Sequence, residues 1–201
     1  AMLLCSAAGN DILFDESMCE QGRNFGNKIW NAYKLINSWN ADSAIEQPES
    51  SKIAIEWFDA VLDEALNTLN SDFESYRISE ALMAVYKLFW DDFSGWFLEM
   101  VKPPYQCGID VKTLEQTKEI FDKLMRVIHP YMPFITEELW QNLAQREEGE
   151  SIMTCPMPEI KGGNQEIIAE FTKVQEAISA IRAVRKERNL PNREALELKV
   201  I

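Results

Sequence analysis

Apolar residues recur at helical spacing along most of the chain. Between residues 17 and 39, Phe25, Ile29 and Ile36 fall on one helical face, and acidic residues precede the segment as is common at a helix start. The same periodicity predicts helices over residues 48–69, 78–101, 111–128, 133–144 and 165–189. Prolines at several of these boundaries agree with the assignment, since proline suits a first helical turn and disfavours helix before it. The pattern predicts an all-α fold, a bundle of about five helices followed by a smaller unit.

Two short segments are predicted to be strands. Ser151–Thr154 lies in an irregular stretch rich in proline and glycine, and Leu196–Val200 alternates strictly between apolar and polar residues. Together with the helices they predict three parts: a connector over 1–16, a helical bundle over 17–147, and a loop, long helix and first strand of a small α/β unit over 148–201. The abrupt start and the unpaired final strand predict a piece of a longer protein.

Composition narrows the class of protein. With 201 residues, 46% of them apolar, the chain can bury a sizeable core, and its net charge of -13 at first sight disfavours a polyanionic partner. Four cysteines without a C-x-x-C pair suggest neither a zinc ribbon nor a disulfide framework, so we expect reduced thiols and a cytoplasmic location. No uncharged apolar run approaches the roughly 20 residues of a membrane span, and we expect no membrane partner.

Catalytic motifs are missing from the sequence. The eight glycines form neither a dinucleotide-binding nor a nucleotide phosphate-binding loop. The single histidine, His129, ends an apolar helix before Pro130, where a structural role at the helix C-terminus is favoured over nucleophilic catalysis. We therefore predict no catalytic residue, no metal site and no bound cofactor in this chain.

The charge is unevenly distributed. Residues 42–101 are strongly acidic, whereas residues 21–41 contain three cations and no acidic residue. On a helix, two neighbouring stripes lie away from the apolar face: Arg23, Asn27, Trp30 and Lys34 in one, and Asn24, Lys28 and Asn31 in the other. Cations for phosphates, amides for base edges and an indole for stacking are typical of single-stranded RNA recognition. The alternative is an ordinary solvated face with Trp30 buried against a neighbour.

A second basic cluster ends the last predicted helix. It comprises Arg182, Arg185, Lys186, Arg188 and Arg193, interrupted only by Glu187 among charged residues. Cations complement the negative end of a helix dipole, which accounts for part of the cluster. Contact with phosphates and docking of a neighbouring domain are the other two interpretations.

Four motifs resemble one family of enzymes. They are Gly9–Glu16 continued by Gly22–Asn31, Phe89–Phe93 continued by Trp96–Pro103, His129–Trp140, and Ile181–Pro191. These segments are similar to the junction and helical domain of the valyl-tRNA synthetase family, and the third is shared with the isoleucine and leucine families. The resemblance covers essentially the whole chain.

The resemblance implies the anticodon-binding helical bundle of class Ia aminoacyl-tRNA synthetases. Its implied partner is valine tRNA, without DNA, and the implied parent is a monomeric valine–tRNA ligase that uses ATP and magnesium in its catalytic domain. The H-I-G-H and K-M-S-K-S signatures of that domain do not occur here. The alternatives are the same domain of an isoleucyl- or leucyl-tRNA synthetase, and a helical protein-interaction module whose acidic surface is the working feature.

The resemblance also implies the functional residues. In the related methionine enzyme an Asn-x-x-x-basic pattern on the corresponding helix contacts the anticodon, and Asn24 with Lys28 matches that pattern. The predicted tRNA-binding residues are Arg23, Asn24, Asn27, Lys28, Trp30, Asn31, Lys34, Lys102, Arg182 and Arg185.

Overall fold

The structure, a computed structural model, describes residues 16–191 and Glu194. The elements are α1 (Glu16–Asn37), β1 (Ala41–Asp42), α2 (Glu49–Glu74), α3 (Ile78–Lys87), a π-helix (Leu88–Phe97), α4 (Leu98–Val101), β2 (Ile109–Asp110), α5 (Val111–Ile128), α6 (Pro133–Leu143), a 3-10 turn (Ile152–Thr154) and α7 (Gln165–Glu187). The predicted strand Leu196–Val200, Arg193 and the connector before Glu16 lie outside the described residues.

The predicted helical fold class is confirmed, with one helix longer than expected. We predicted that the second helix ends near Leu69, but α2 continues to Glu74. The last turn is retained because the buried carboxylate of Asp72 pairs with Arg77, whose guanidinium nitrogen lies 2.8 Å away. The helix ends before Tyr76, whose φ of 56° is left-handed and incompatible with a further α-helical turn.

The strand predicted at Ser151–Thr154 is wrong, because this segment forms a 3-10 turn. Ser151 donates its hydroxyl to Glu137 over 2.7 Å, and its oxygen accepts the Met153 amide. Partial burial raises the pKa of Glu137, but hydrogen bonds from Gln141, Ser151 and the Ile152 amide outweigh it and hold the pKa below its ordinary value. Local side-chain bonds of this kind compete with strand formation, and a short apolar run does not reveal them.

A two-residue parallel pairing was not predicted. Ala41 of β1 lies opposite Ile109 of β2, and Asp42 lies opposite Asp110. Segments this short carry no detectable alternation, so the pairing depends on the tertiary fold. It joins the end of α1 to the loop before α5.

Phenylalanine side chains form the centre of the first unit, which extends to Gly163. Phe93 of the π-helix lies 5.5 Å from Phe58 of α2, 6.0 Å from Phe121 of α5 and 5.3 Å from Phe89, measured between ring centroids. Phe89 in turn contacts Phe25 of α1 at 5.8 Å. All five rings are completely buried, so this cluster joins four helical segments.

Residues 78–101 form one continuous helical path, as predicted, but its middle is π-helical. The Leu98 amide bonds to the Phe93 carbonyl, five residues back. A π turn holds more residues than an α turn, so it changes which side chains share a face. Here Phe93 lies in the core, while Trp90 and Ser94 approach α1.

The loop before α7 is fastened to α2. The buried carboxylate of Asp63 accepts the Lys161 amide at 3.1 Å and the Gly163 amide at 2.8 Å. Gly163 approaches so closely that an added Cβ would lie 2.5 Å from the Cα of Ala60. The chain is therefore held in place up to the residue where the second unit begins at Asn164.

The contact of Gly163 with α2 gives a stability prediction. Gly163→Ala should lower the free energy of unfolding by about 1–3 kcal/mol, because the new methyl group meets backbone that cannot rotate away. Gly95→Ala is the control, since its Cβ would meet only the Trp90 carbonyl, at an ordinary 3.5 Å. Urea unfolding followed by circular dichroism measures both. Equal stability of the two variants would contradict the close approach.

An acidic groove between α2 and α3 contains a perturbed carboxylate. Asp92 lines this groove with Glu64 and Lys87. Burial raises the pKa of Asp92 to about 6, which Lys87 opposes and Asp91 and Glu64 reinforce. The carboxyl group of Asp92 therefore binds a proton more tightly in the folded state than in the unfolded chain.

The pH dependence of stability follows from that shift. The tighter binding of a proton by Asp92 in the folded state contributes to the free energy of unfolding. This stabilisation is complete below the ordinary pKa of 3.8 and is lost as the pH rises through about 6. Asp92→Asn should therefore unfold at higher urea concentration than the unmodified chain at pH 8, and the difference should shrink towards pH 4. The exposed Glu80→Gln serves as the control. A difference that does not change with pH would show that Asp92 is not the responsible group.

Candidate nucleic-acid interface

Helix α1 presents its predicted polar stripes at the surface. Lys28 is half-buried, and the indole of Trp30 is 38% exposed. Trp30 is therefore not buried against a neighbour, and the Nζ of Lys34 lies 5.9 Å from the centre of its ring. The other predicted residues on this helix are all exposed: Arg23, Asn24, Asn27, Asn31 and Lys34.

The opposite face of α1 explains this orientation. Phe25, Ile29 and Ile36 are completely buried, so burial of apolar surface sets the rotation of the helix about its axis. Gly26 is buried where α1 meets the start of α6, and a Cβ there would lie at ordinary contact distances of 3.4 Å from the Cε of Met132 and 3.8 Å from the Cδ1 of Ile135. Because the apolar face of α1 packs against the core, the polar stripes on the other side of the helix lie at the surface.

Lys28 is positioned by the ring of Trp90 in the π-helix, which stacks on Tyr86 of α3. Its Nζ lies 5.1 Å from the centre of the Trp90 ring, within the range of a cation–π interaction. Trp90 stacks on Tyr86 with centroids 5.3 Å apart, and Tyr86 contacts Phe25 at 4.9 Å. This column was not predicted, although the aromatic richness of residues 86–97 was its signal in the sequence.

A groove of about 180 Å³ lies beside Lys28 between α1, the π-helix and α4. We call it the Lys28 groove; its lining is Lys28, Asn31, Ala32, Leu35, Ser94, Leu98 and Glu99. The hydroxyl of Ser94 is buried and has no hydrogen-bond partner among the described residues. An ammonium, an amide and a hydroxyl thus share one groove with the carboxylate of Glu99, which pairs with Lys102. The first three groups can donate hydrogen bonds to phosphate and base-edge acceptors.

A second groove continues along the same helix. It has a volume of about 390 Å³, and we call it the Tyr105 groove; its lining is Leu35, Ser38, Trp39, Asn40 and residues 102–108. Both grooves include Leu35, so they adjoin on α1. Lys102 lines the Tyr105 groove and pairs with Glu99, which lines the Lys28 groove. The tertiary fold therefore brings Lys102 close to the surface of α1.

The remaining predicted residues belong to the second unit. The guanidinium of Arg185 donates to the carbonyl oxygens of Pro191 and Glu194, over 2.8 and 2.7 Å. These bonds tie Arg185 to the residues that follow α7, which ends at Glu187. The three interpretations of this cluster stay predictions. Arg182 and Lys186 are exposed on α7.

Comparison with known proteins gives the family. Residues 56–200 match the family described as "Anticodon-binding domain of tRNA ligase". The chain belongs to this family. The matched range of the anticodon-binding domain begins inside α2, so α1 lies before it.

Similar proteins extend over α1 as well. The valine–tRNA ligase of Parabacteroides distasonis is 52% identical over 200 residues, and that of Phocaeicola vulgatus is 50% identical, both covering the whole chain. The valine–tRNA ligase of Geobacillus kaustophilus is 35% identical over 96% of the chain. In each case the chain spans about 23% of the relative's length.

The described part of this anticodon-binding domain offers neither a membrane-spanning helix nor a cluster of metal-ligating side chains. Over residues 16–191 no helix combines the length and the apolar character needed to cross a bilayer. The same residues contain no group of three histidine, cysteine or acidic side chains placed to hold a metal ion.

Proposed function

We propose that the chain is the tRNA-binding, anticodon-recognising part of a valine–tRNA ligase, an enzyme that attaches valine to its tRNA with ATP. The observation that carries the proposal is the surface of α1, where cations, amides and the indole of Trp30 lie exposed on one helix in a member of this family. Lys28 and Asn31 of this surface also line the Lys28 groove. The names of the relatives support valine rather than isoleucine or leucine. In such an enzyme ATP and magnesium serve the catalytic domain, and the part described here contributes RNA binding in the cytoplasm.

Different side chains of α1 have different tasks in this proposal. Lys28 and Lys34 contact phosphates, which gives affinity without sequence discrimination. Asn24 and Asn31 hydrogen-bond base edges, because a side-chain amide offers both donors and an acceptor. Trp30 offers a ring on which an unpaired base can stack.

In this proposal the acidic groove between α2 and α3 helps to orient an approaching RNA. The groove between α2 and α3 contains Glu64 and Asp92 and would repel a phosphate backbone. The cations of α1 attract the same backbone, so an approaching RNA is steered towards one face although the net charge is -13.

Two substitutions separate base reading from charge attraction. Asn24→Ala should weaken binding of tRNA with a valine anticodon by about 1–3 kcal/mol and leave an anticodon-swapped tRNA nearly unaffected, because an unpaired base edge discriminates. Lys28→Ala should weaken both tRNAs by about 1 kcal/mol, since a charge-assisted phosphate contact does not depend on the base. Fluorescence titration with the two tRNAs measures each variant.

Matched controls come from the other face of the bundle. Asn67→Ala removes an exposed amide from α2, and Lys87→Ala removes an exposed cation from the acidic groove. Both should bind tRNA as the unmodified chain does. If Asn24→Ala weakens both tRNAs equally, with folding intact by circular dichroism, α1 is not the element that reads the anticodon.

Salt dependence tests the ionic part of the proposal. About three to five phosphate contacts imply a slope of roughly -2 to -4 for the logarithm of affinity against the logarithm of salt concentration. Lys28→Ala should flatten that slope by about 0.7. Titrations at several potassium chloride concentrations give both values. An affinity independent of salt would contradict phosphate contacts altogether.

A further inference from the structure

We propose that the Tyr105 groove binds a single unpaired nucleotide of the tRNA, as a site separate from the polar stripes of α1. The inference rests on the proposed function, because it assigns a second contact on the same RNA. Apart from Lys102 and Pro103, the residues that line this groove lie outside the four motifs of the sequence.

The walls of the groove are held in place. The Ile109 amide donates to the Asn40 carbonyl at 2.9 Å, and the β1–β2 pairing follows directly. At Gly108 an added Cβ would lie 3.0 Å from the Cβ of Asp42 and 3.2 Å from the Asn40 carbonyl oxygen. The loop that carries Tyr105 is therefore held against residues 40–42, which follow α1. The groove is thus already formed before a ligand binds.

The lining suits a nucleotide. A volume of about 390 Å³ lies within the roughly 300–1,000 Å³ typical of small-ligand clefts. Tyr105 is 91% exposed and Trp39 is half-buried, so two aromatic rings line one groove with much of the phenol open to solvent. Asn40 and Gln106 add side-chain amides that can pair with a base edge.

RNA is favoured as the occupant because of continuity and charge. The groove adjoins the Lys28 groove at Leu35, so a strand bound along α1 reaches it without leaving the protein surface. Lys102 lines the groove, where it is paired with Glu99, and the exposed Lys34 lies one residue before Leu35 on α1. Aromatic rings beside cations are the combination by which proteins bind unpaired nucleotides.

The test uses an anticodon stem-loop RNA of valine tRNA in which each loop nucleotide in turn is made abasic. Tyr105→Ala should weaken binding of the intact stem-loop by about 5- to 150-fold, the loss expected for one stacked base. Tyr105→Phe keeps the ring and should stay within about twofold of the unmodified chain. When the base that stacks on Tyr105 is removed from the RNA, the unmodified chain and Tyr105→Ala should bind with equal affinity. When any other loop base is removed, the difference in affinity between the two proteins should remain.

Tyr76→Ala is the matched control. Tyr76 is 89% exposed and follows the far end of α2, a helix of 26 residues that is about 39 Å long. This variant should bind every RNA as the unmodified chain does.

Cys107 provides a second readout that needs no substitution. It is exposed and lines the groove, so bound stem-loop should slow its alkylation by iodoacetamide, followed by peptide mass spectrometry. The half-buried Cys155, in the loop after the 3-10 turn, gives the reference rate.

The outcomes separate the two proposals. If Asn24→Ala weakens binding but Tyr105→Ala does not, or if the loss at Tyr105 is the same for every abasic RNA, the nucleotide site is overturned and the proposed function stands. Unchanged alkylation of Cys107 in the presence of saturating RNA also overturns it. If neither Asn24→Ala, Lys28→Ala nor Tyr105→Ala changes RNA binding, the RNA interface itself is wrong.

Discussion

Packing around Phe93 is the interaction on which the first unit depends. Its ring contacts phenylalanines from α2, from α5 and from its own helix, and Phe89 extends the cluster to α1. Complete burial of such a side chain contributes about 1.5–3 kcal/mol, and favourable ring pairs add about 0.5–1.5 kcal/mol each. Because the rings interlock, the helices can adopt few other arrangements without opening a cavity.

The π-helix links this core to the polar surface of α1. The segment that buries Phe93 also places Trp90 beneath Lys28 and Ser94 in the Lys28 groove. A change in the packing of the phenylalanines would therefore move the aromatic column that contacts Lys28, a cation of the proposed RNA-binding surface. Conversely, Asp92 of the same segment faces the acidic groove between α2 and α3. The π-helix thus contacts a cation of α1 on one side and lines the acidic groove on another.

Buried polar contacts hold the connecting segments. Asp63 fixes the loop before α7 through two backbone amides, and Glu137 gathers hydrogen bonds from Gln141, Ser151 and Ile152. A similar local bond places the Nδ1 of His129 2.7 Å from the hydroxyl of Thr136, where α5 gives way to α6. For the buried Asp63, losing its two amide partners would leave the carboxylate unsatisfied, which costs more than the bonds themselves contribute.

The sequence alone determined the features that depend on neighbouring residues. The helices over 111–128 and 133–143, and the exposure of Asn24 and Lys34 on α1, follow from a 3.6-residue period that is complete within each segment. The four motifs, among them His129–Trp140, likewise indicated the family, because the residues of each motif lie close together in the chain.

Tertiary structure decided what depends on residues distant in sequence. The pairing of Lys28 with Trp90, the β1–β2 register and the Tyr105 groove bring together segments that no local period relates. The turn at Ile152–Thr154 was mistaken for a strand because its stabilising carboxylate, Glu137, lies on another element. Local periodicity reports which face of a helix is buried, but only packing determines which side chains meet that face and which grooves remain between the helices.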